Sequence, residues 1–430
     1  MVVTIVVLLI LAGVSISLVV DKNGIIQKSK DARREYGQAK ANEQEDLSNL
    51  SDMIEEATGK VTLAKVPVGT KASKNGTING EEGNSNNPTI PKNYIPIDTA
   101  TSTWGDGSTA PSQDSVKHGL VIKDEKNNEW VWVPVDSATL ATMYEESSDE
   151  KTLCGTTGET AVKTKLYSKS ITIGTDSNKK TISRTTPGKT SYREPDLLVG
   201  SGTEYDASDT YCKIILGETG TKEQLAQLFV DEYKAMIESV SKYGGFYIGR
   251  YELSEAGVQK DRQPLTNTNW YNLYNVCRDS KLQASDKVKT QMIWGCQWDV
   301  TMNWLISSGA KTSNEVNKDS SSWGNYNNTS VKANDGTTVL KANGTSAKLN
   351  TGKTTFTMAN NIYDLAGNCL EWTQEAGSTS VRVYMGGYYN GDGSFYPASD
   401  RNGYIPDDSG NGSTRFSSHF NNKVILDSRA

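Results

Sequence analysis

Residues 361–373 combine oxygen-bearing side chains with a tight turn, in the order NIYDLAGNCLEWT. Carboxylate and carbonyl oxygens around a sharp turn suit a hard cation such as Ca2+. The stretch therefore predicts a structural calcium site in which the glycine and the cysteine contribute backbone carbonyls. The predicted ligands are Asp364, Gly367, Cys369 and Glu371. The alternative is a polar turn, also using Asn368, that precedes a strand whose Trp372 packs inward.

The elements that would position this motif are indicated by a resemblance that covers most of the chain. The motif resembles the C-terminal signature of the formylglycine-generating enzyme family, also called sulfatase-modifying factors. Four earlier segments resemble that family's strand and helix motifs in the same order, and these are 119–135, 244–252, 269–277 and 294–299. The resemblance implies an α+β head of the C-type lectin type over residues 118–430, with short strands, few helices and long ordered loops.

Two segments inside the head are read from their own pattern. Residues 223–242 place apolar side chains at helical spacing, which predicts an amphipathic helix with one buried face. That face consists of Leu225, Phe229, Tyr233, Met236 and Val240. Residues 147–210 are rich in Thr, Ser and Lys, and we expect an insertion of short strands or loops there.

The cysteines argue against the chemistry of the family that the head resembles. The five are Cys154, Cys212, Cys277, Cys296 and Cys369, an odd count that leaves at least one thiol free. The resemblance implies a reactive cysteine pair near the C-terminus, yet residues 386–416 contain no cysteine. We therefore expect no enzymatic activity and no catalytic residue. Cys277 and Cys296 are interpreted as buried residues or as one disulfide.

Residues 386–416 consist mainly of Tyr, Gly, Ser, Asp and Asn, which is the composition of an antibody-like binding surface. Exposed aromatic side chains usually mark binding sites, although a long surface loop whose Asp and Gly residues only form turns is the alternative. The predicted ligand contacts are Tyr388, Tyr389, Asp392, Phe395, Tyr396, Asp400, Tyr404, Asp407 and Asp408.

The region 384–416 also resembles the variable region of proteins diversified by diversity-generating retroelements, which place variable residues at the C-terminus of a lectin-like fold. The resemblance implies an adhesin-type or receptor-type protein that binds a protein or glycan ligand at a cell or phage surface. The sequence departs from the family at 414–416, where Thr-Arg-Phe replaces Gly-Phe-Arg. Two alternatives stay open: a minor pilin subunit, and a divergent enzyme of the sulfatase-modifying type.

The N-terminal region, residues 1–117, differs from the head in composition and in its predicted elements. Residues 1–20 contain no charge and have the length of a membrane-spanning helix, and residues 21–59 predict an amphipathic stem helix. Together they resemble a type IV pilin stem, which implies anchoring at the cell surface and other pilin-like subunits as partners. A secretory signal is the alternative for the apolar run, and the basic leader of pilin precursors does not precede it here. Residues 60–117 are rich in Gly, Ser, Thr and Asn and predict a flexible linker.

Composition narrows the range of partners. The net charge is −6 and the isoelectric point is near 5.3, so the chain lacks the basic surface that nucleic acid requires. The two histidines, His118 and His419, are far apart in sequence and give little support to a histidine metal site or a Ser-His-Asp relay. Apolar residues make up 35% of the chain, so we expect large aromatics to provide much of the buried area.

Overall fold

The structure of the 430-residue chain is a computed structural model. The residues it describes are 85, 88–91, 93–97, 118–143, 146–154, 162–167, 171–182, 194, 209–285, 288–377, 381–406, 420–421 and 423–428. The predicted membrane helix, the stem helix and most of the linker lie outside these residues, as do Asp407 and Asp408. Within the described ranges, no helix has the length and the apolar content needed to cross a membrane.

The fold is a mixed α and β architecture with few helices and several small sheets. Its largest sheet has six strands in the order β1-β2-β3-β8-β18-β9, and every neighbouring pair is antiparallel. These strands are β1 Tyr94–Pro96, β2 Val121–Asp124, β3 Glu129–Pro134, β8 Gly245–Gly249, β9 Val288–Met292 and β18 Val424–Ser428. Strand β18 lies between β8 and β9 and therefore joins β9 to the rest of the sheet.

Strand β1 lies within the range of the predicted linker. Residues 94–96 pair with β2, and the buried apolar residues around them are Ile90, Tyr94 and Ile97. The Tyr94 hydroxyl also accepts a hydrogen bond from the Ala284 N–H at 3.1 Å. Burial of these apolar side chains offsets the entropy lost when the segment is ordered. The linker prediction was based on the polar residues that surround them.

The second sheet contains the end of the NIYDLAGNCLEWT motif and both ends of residues 386–400, which we call the aromatic loop. Its order is β16-β15-β14-β17, with β14 and β17 parallel and the other pairs antiparallel. The strands are β14 Leu370–Ala376, β15 Arg382–Met385, β16 Arg401–Tyr404 and β17 Phe420–Asn421. Residues 386–400 therefore form the connection between β15 and β16.

The remaining strands form two-stranded hairpins. They are β4 Glu146–Cys154 with β5 Val162–Tyr167, β6 Ile171–Ile173 with β7 Lys180–Ile182, β10 Val331–Lys332 with β11 Val339–Lys341, and β12 Met358–Ala359 with β13 Ile362–Tyr363. The first two hairpins lie in the range where an insertion of short strands or loops was predicted.

The helices pack around the six-stranded sheet. They are α1 Ser137–Met143, α2 Asp209–Leu216, α3 Lys222–Tyr243, α4 Trp270–Cys277, α5 Gly295–Ser307 and α6 Ser313–Asn317, with 3-10 turns at Ser280–Leu282 and Thr355–Thr357. Helix α3 begins with a capping box at Thr221 and ends at Gly244, whose φ of 72° requires glycine. Its five predicted core residues are all buried, so the amphipathic prediction is confirmed.

Large aromatics fill the core, as the composition predicted. The fully buried tryptophans are Trp130, Trp132, Trp270, Trp294, Trp298, Trp323 and Trp372. Trp372 lies on β14 and meets Tyr384 of β15 edge to face, with ring centroids 6.1 Å apart. The strand that leaves the motif is thus anchored in the core directly beneath the start of the aromatic loop.

Candidate ligand-binding surface

The aromatic loop, residues 386–400, is held against residues 316–328 by backbone hydrogen bonds. The Ser320 N–H donates to the Gly393 carbonyl at 3.0 Å, and the Asn327 N–H donates to the Gly391 carbonyl at 2.8 Å. At the far end of the loop, the Ser399 N–H donates to the Val316 carbonyl at 3.1 Å. A loop attached at its middle and its end loses little further entropy when a ligand binds.

Side chains from the scaffold also bind the backbone of this loop. The Tyr326 hydroxyl donates to the Tyr396 carbonyl at 2.8 Å, and the Trp298 indole N–H donates to the Ala398 carbonyl at 3.1 Å. Gly387 lies so close to the Tyr326 ring that a Cβ would sit 2.2 Å from it. This close approach explains why glycine occupies that position.

The tyrosines and the phenylalanine of the loop lie at the surface. Phe395 is 76% exposed, whereas Tyr388, Tyr389, Tyr396 and Tyr404 are half-buried. The rings of Tyr388 and Tyr396 meet edge to face with centroids 5.4 Å apart. Burial, and then the neighbouring Tyr396, raises the pKa of Tyr388, which keeps its hydroxyl protonated. We call Tyr388, Tyr389, Phe395 and Tyr396 the aromatic surface.

The aspartates of the predicted contact set have different roles. The Asp392 carboxylate accepts hydrogen bonds from the N–H and hydroxyl of Ser394, at 2.8 and 2.6 Å. The Asp392 carbonyl accepts from the Phe395 and Tyr396 N–H groups. Asp392 thus forms the turn that presents Phe395, which matches the turn alternative for this residue. Burial raises the pKa of Asp400 and nearby Lys180 opposes that rise, while the Asp400 carbonyl accepts from the Gly386 N–H.

A buried ionic cluster anchors the end of the loop at Arg401. Its guanidinium donates to both Asp299 oxygens at 2.9 and 2.8 Å and twice to Glu375 Oε2, at 3.1 and 2.8 Å. The three side chains are no more than 2% exposed. Asp299 comes from α5, whose first N–H groups donate to the buried Glu194 carboxylate. Nothing local in the sequence indicated that Arg401 and Asp299 pair.

Three of the four predicted calcium ligands form contacts or hydrogen bonds with other residues of the protein. The Asp364 carboxylate accepts from the Thr357 hydroxyl at 2.7 Å and from the Gly352 N–H at 2.9 Å. Gly367, at φ 74°, lies against the Asn325 backbone, where a Cβ would come within 2.4 Å of the carbonyl oxygen. The Cys369 N–H donates to the Glu252 carboxylate at 3.0 Å.

Glu371 is the member of the predicted set whose carboxylate accepts no hydrogen bond from the described residues. Burial raises the pKa of Glu371 to about 8, while Lys423 opposes the rise and Asp364 adds to it. Lys423 is itself buried, and its ammonium donates to the Tyr363 carbonyl at 2.7 Å. Across the described ranges, no three His, Cys, Asp or Glu side chains are grouped to hold a metal ion. The calcium site stays a prediction.

Asn368 links the motif to the aromatic loop, a role that the sequence did not reveal. Its side chain donates to the Glu252 carboxylate at 2.6 Å and accepts from the Asn325 amide and the Leu349 N–H, each at 2.9 Å. Its carbonyl accepts from the Tyr389 N–H at 3.1 Å. The residue is fully buried at φ 62°, a conformation that asparagine tolerates better than most side chains. Asn368 thus joins four segments behind the surface.

A second residue missed by sequence reasoning is Lys341, which is 3% exposed. Its ammonium donates to the carbonyls of Tyr326, Thr329 and Thr345, the last two at 2.7 and 3.1 Å. Burial lowers the pKa of Lys341. The Tyr326 carbonyl belongs to residues 316–328, which support the aromatic loop. The lysine therefore connects this segment to Thr329 and Thr345.

Four of the cysteines are buried and are not joined in disulfides, and these are Cys212, Cys277, Cys296 and Cys369. The disulfide alternative for Cys277 and Cys296 is therefore wrong, and the buried-residue interpretation is confirmed. Burial raises the pKa of the Cys277 and Cys369 thiols, in each case with a nearby glutamate adding to the effect. Such thiols form little of the reactive thiolate near neutral pH.

The fold and site together define a mixed α and β head that presents one exposed and three half-buried aromatic side chains on a loop held by hydrogen bonds. No family model and no curated protein matches the chain. Among solved structures, the chain is similar to Treponema denticola variable protein 1, with 16% identity over 44% of this chain and 85% of that chain, at a TM-score of 0.26. A superposition that loose transfers neither a fold name nor a function.

Proposed function

We propose that this chain is a ligand-binding protein of the adhesin or receptor type, displayed at the cell surface, with the aromatic surface as its binding site. The exposure of Phe395 is the observation that carries the proposal. A large apolar side chain that is 76% exposed has an unfavourable contact with water, which burial against a ligand would remove. Neighbouring tyrosines supply contact area at low entropic cost.

The way the loop is attached supports diversification of its side chains. The scaffold binds the carbonyls of Gly391, Gly393, Tyr396 and Ala398, and these are backbone atoms that every residue has. Side chains on the aromatic surface can therefore change while the loop keeps its conformation. We infer a variable protein of the retroelement-diversified kind on a C-type lectin-like head, anchored through its N-terminal region.

The diversification is tested by sequencing this gene from many cells of one population, together with its genomic neighbourhood. We expect substitutions at Tyr388, Tyr389, Phe395 and Tyr396, none at Arg401, and a nearby reverse transcriptase gene with a near-copy of the region. Substitutions spread evenly over the gene, or a neighbourhood without the reverse transcriptase, would contradict the proposal.

Ligand binding is tested with the full chain on a glycan array and against a displayed random-peptide library. Phe395→Ser should reduce the affinity of a selected ligand about thirtyfold or more, as expected for a central aromatic anchor. Val339→Ser is the matched control, because Val339 is 52% exposed and lies on β11, outside the loop. Equal affinity of the wild type and the Phe395 variant for every selected ligand would exclude the aromatic surface as the binding site.

A further inference from the structure

A cleft of 450 Å³ is lined by residues from the range 254–267 and by Lys348. Its volume is in the range of sites that hold small molecules. The segment that forms one wall also reaches the aromatic loop, because the Ser346 hydroxyl donates to the Asn390 side-chain oxygen. The cleft and the aromatic loop are thus connected through residues 346–348.

Two cations line this cleft without a carboxylate partner among the described residues. Lys348 donates to the Thr266 hydroxyl at 2.6 Å, and Arg262 donates to the Gln259 side chain at 3.3 Å. Neither side chain forms an ion pair in the described ranges, whereas Arg250 and Arg401 each bind a buried carboxylate. Both cations keep N–H donors available for an anion.

The rest of the lining suits the hydroxyl groups and C–H faces of a sugar. Gln263 and Asn267 offer amide donors and acceptors, and Leu265 offers an apolar contact. Glu255, the acidic member of the lining, can accept hydrogen bonds from hydroxyl groups but would repel a second carboxylate. The lining therefore combines two cations with groups that bind neutral polar atoms.

We propose that this cleft is a subsite for a sugar that carries one carboxylate, with Arg262 and Lys348 binding the carboxylate. This inference rests on the proposed ligand-binding function and specifies the chemistry of part of its ligand. Arg262 can bind a carboxylate through two parallel N–H donors, while Lys348 adds a point charge from the opposite wall. Binding should weaken as ionic strength rises, because both cations are accessible to solvent.

The test measures binding of three probes to the full chain by saturation-transfer NMR and calorimetry. The probes are glucuronate, glucose and acetate, so that carboxylate and sugar ring are varied separately. We expect glucuronate to bind about tenfold more tightly than either glucose or acetate. Arg262→Gln and Lys348→Gln should each lower glucuronate affinity about tenfold, whereas Lys260→Gln, an exposed lysine outside the lining, should not.

Three results would overturn the inference. They are equal binding of glucose and glucuronate, equal binding of acetate and glucuronate, and no binding of glucuronate at millimolar concentration. Phe395→Ser should leave glucuronate binding unchanged, since Phe395 is not part of the lining. The two proposals can therefore fail separately. Glucuronate binding tests the cleft, whereas the affinity of the Phe395 variant for array or library ligands tests the aromatic surface.

Discussion

The buried cluster around Arg401 gives the sharpest test of how the aromatic loop is supported. Arg401→Met keeps much of the apolar volume but removes four charge-assisted hydrogen bonds to Asp299 and Glu375. Both carboxylates are fully buried and would lose their cation. Breaking a buried ion pair in this way costs about 3–5 kcal/mol of unfolding free energy.

The assay is equilibrium unfolding in urea, followed by the fluorescence of the buried tryptophans. Arg262→Met is the matched control, because Arg262 is exposed and its loss should cost about 0.5 kcal/mol or less. The triple variant Arg401→Met, Asp299→Asn, Glu375→Gln removes the two uncompensated charges along with the cation. We expect it to be more stable than Arg401→Met alone.

Two results would refute this reasoning. If Arg401→Met costs no more than the Arg262 control, the cluster does not contribute to holding the loop. If the triple variant is as unstable as the single variant, the lost guanidinium volume rather than the buried charge is the cause.

Three further predictions concern the residues behind the surface. Burial raises the pKa of Glu371 from 4.5 to about 8, so its contribution to the unfolding free energy is complete below pH 4.5 and is lost as pH rises to about 8. Glu371→Gln should therefore reduce the dependence of unfolding free energy on pH, measured by urea unfolding with chelator present. The same pH dependence in the wild type and the variant would contradict this prediction. Lys341→Met should lower the unfolding free energy by about 3 kcal/mol or more, because it leaves several buried carbonyls without a hydrogen-bond donor. An equal loss in Lys260→Met, at an exposed lysine, would contradict the role of the buried ammonium. If calcium binds at the motif, its addition should raise the melting temperature, chelator should reverse the rise, and Asp364→Asn should abolish it; no shift in the wild type would refute the site.

Local patterns in the sequence were sufficient for the regular elements. The helical spacing of 223–242 corresponds to α3, because that helix buries one continuous face. Segment 244–252, which was identified by its resemblance to a family motif, contains β8. Strand β1 escaped prediction, since three residues between polar neighbours give no periodic signal. Its pairing with β2, after a long intervening segment, decides its conformation instead.

The site was predictable only in its exposed part. The composition of 386–416 indicated aromatic side chains at a surface, and Phe395 lies there. The supports could not be read from the sequence, because Arg401 and Asp299 are 102 residues apart and Asn368 contacts Glu252 across 116 residues. Asn368 was assigned to a polar turn, since an amide that joins distant segments has the same local sequence as one that only forms a turn.

The carbonyl oxygens that surround the Lys341 ammonium resemble the coordination shell of a small cation, with the ion replaced by the end of a side chain. A free ion enters and leaves such a shell according to its concentration in the medium, but a covalently attached ammonium cannot be diluted away or removed by a chelator. The carbonyls of Tyr326, Thr329 and Thr345 therefore keep this cation whatever the concentration of free ions in the medium. The charge of the Lys341 ammonium is lost only by deprotonation or by substitution of the residue.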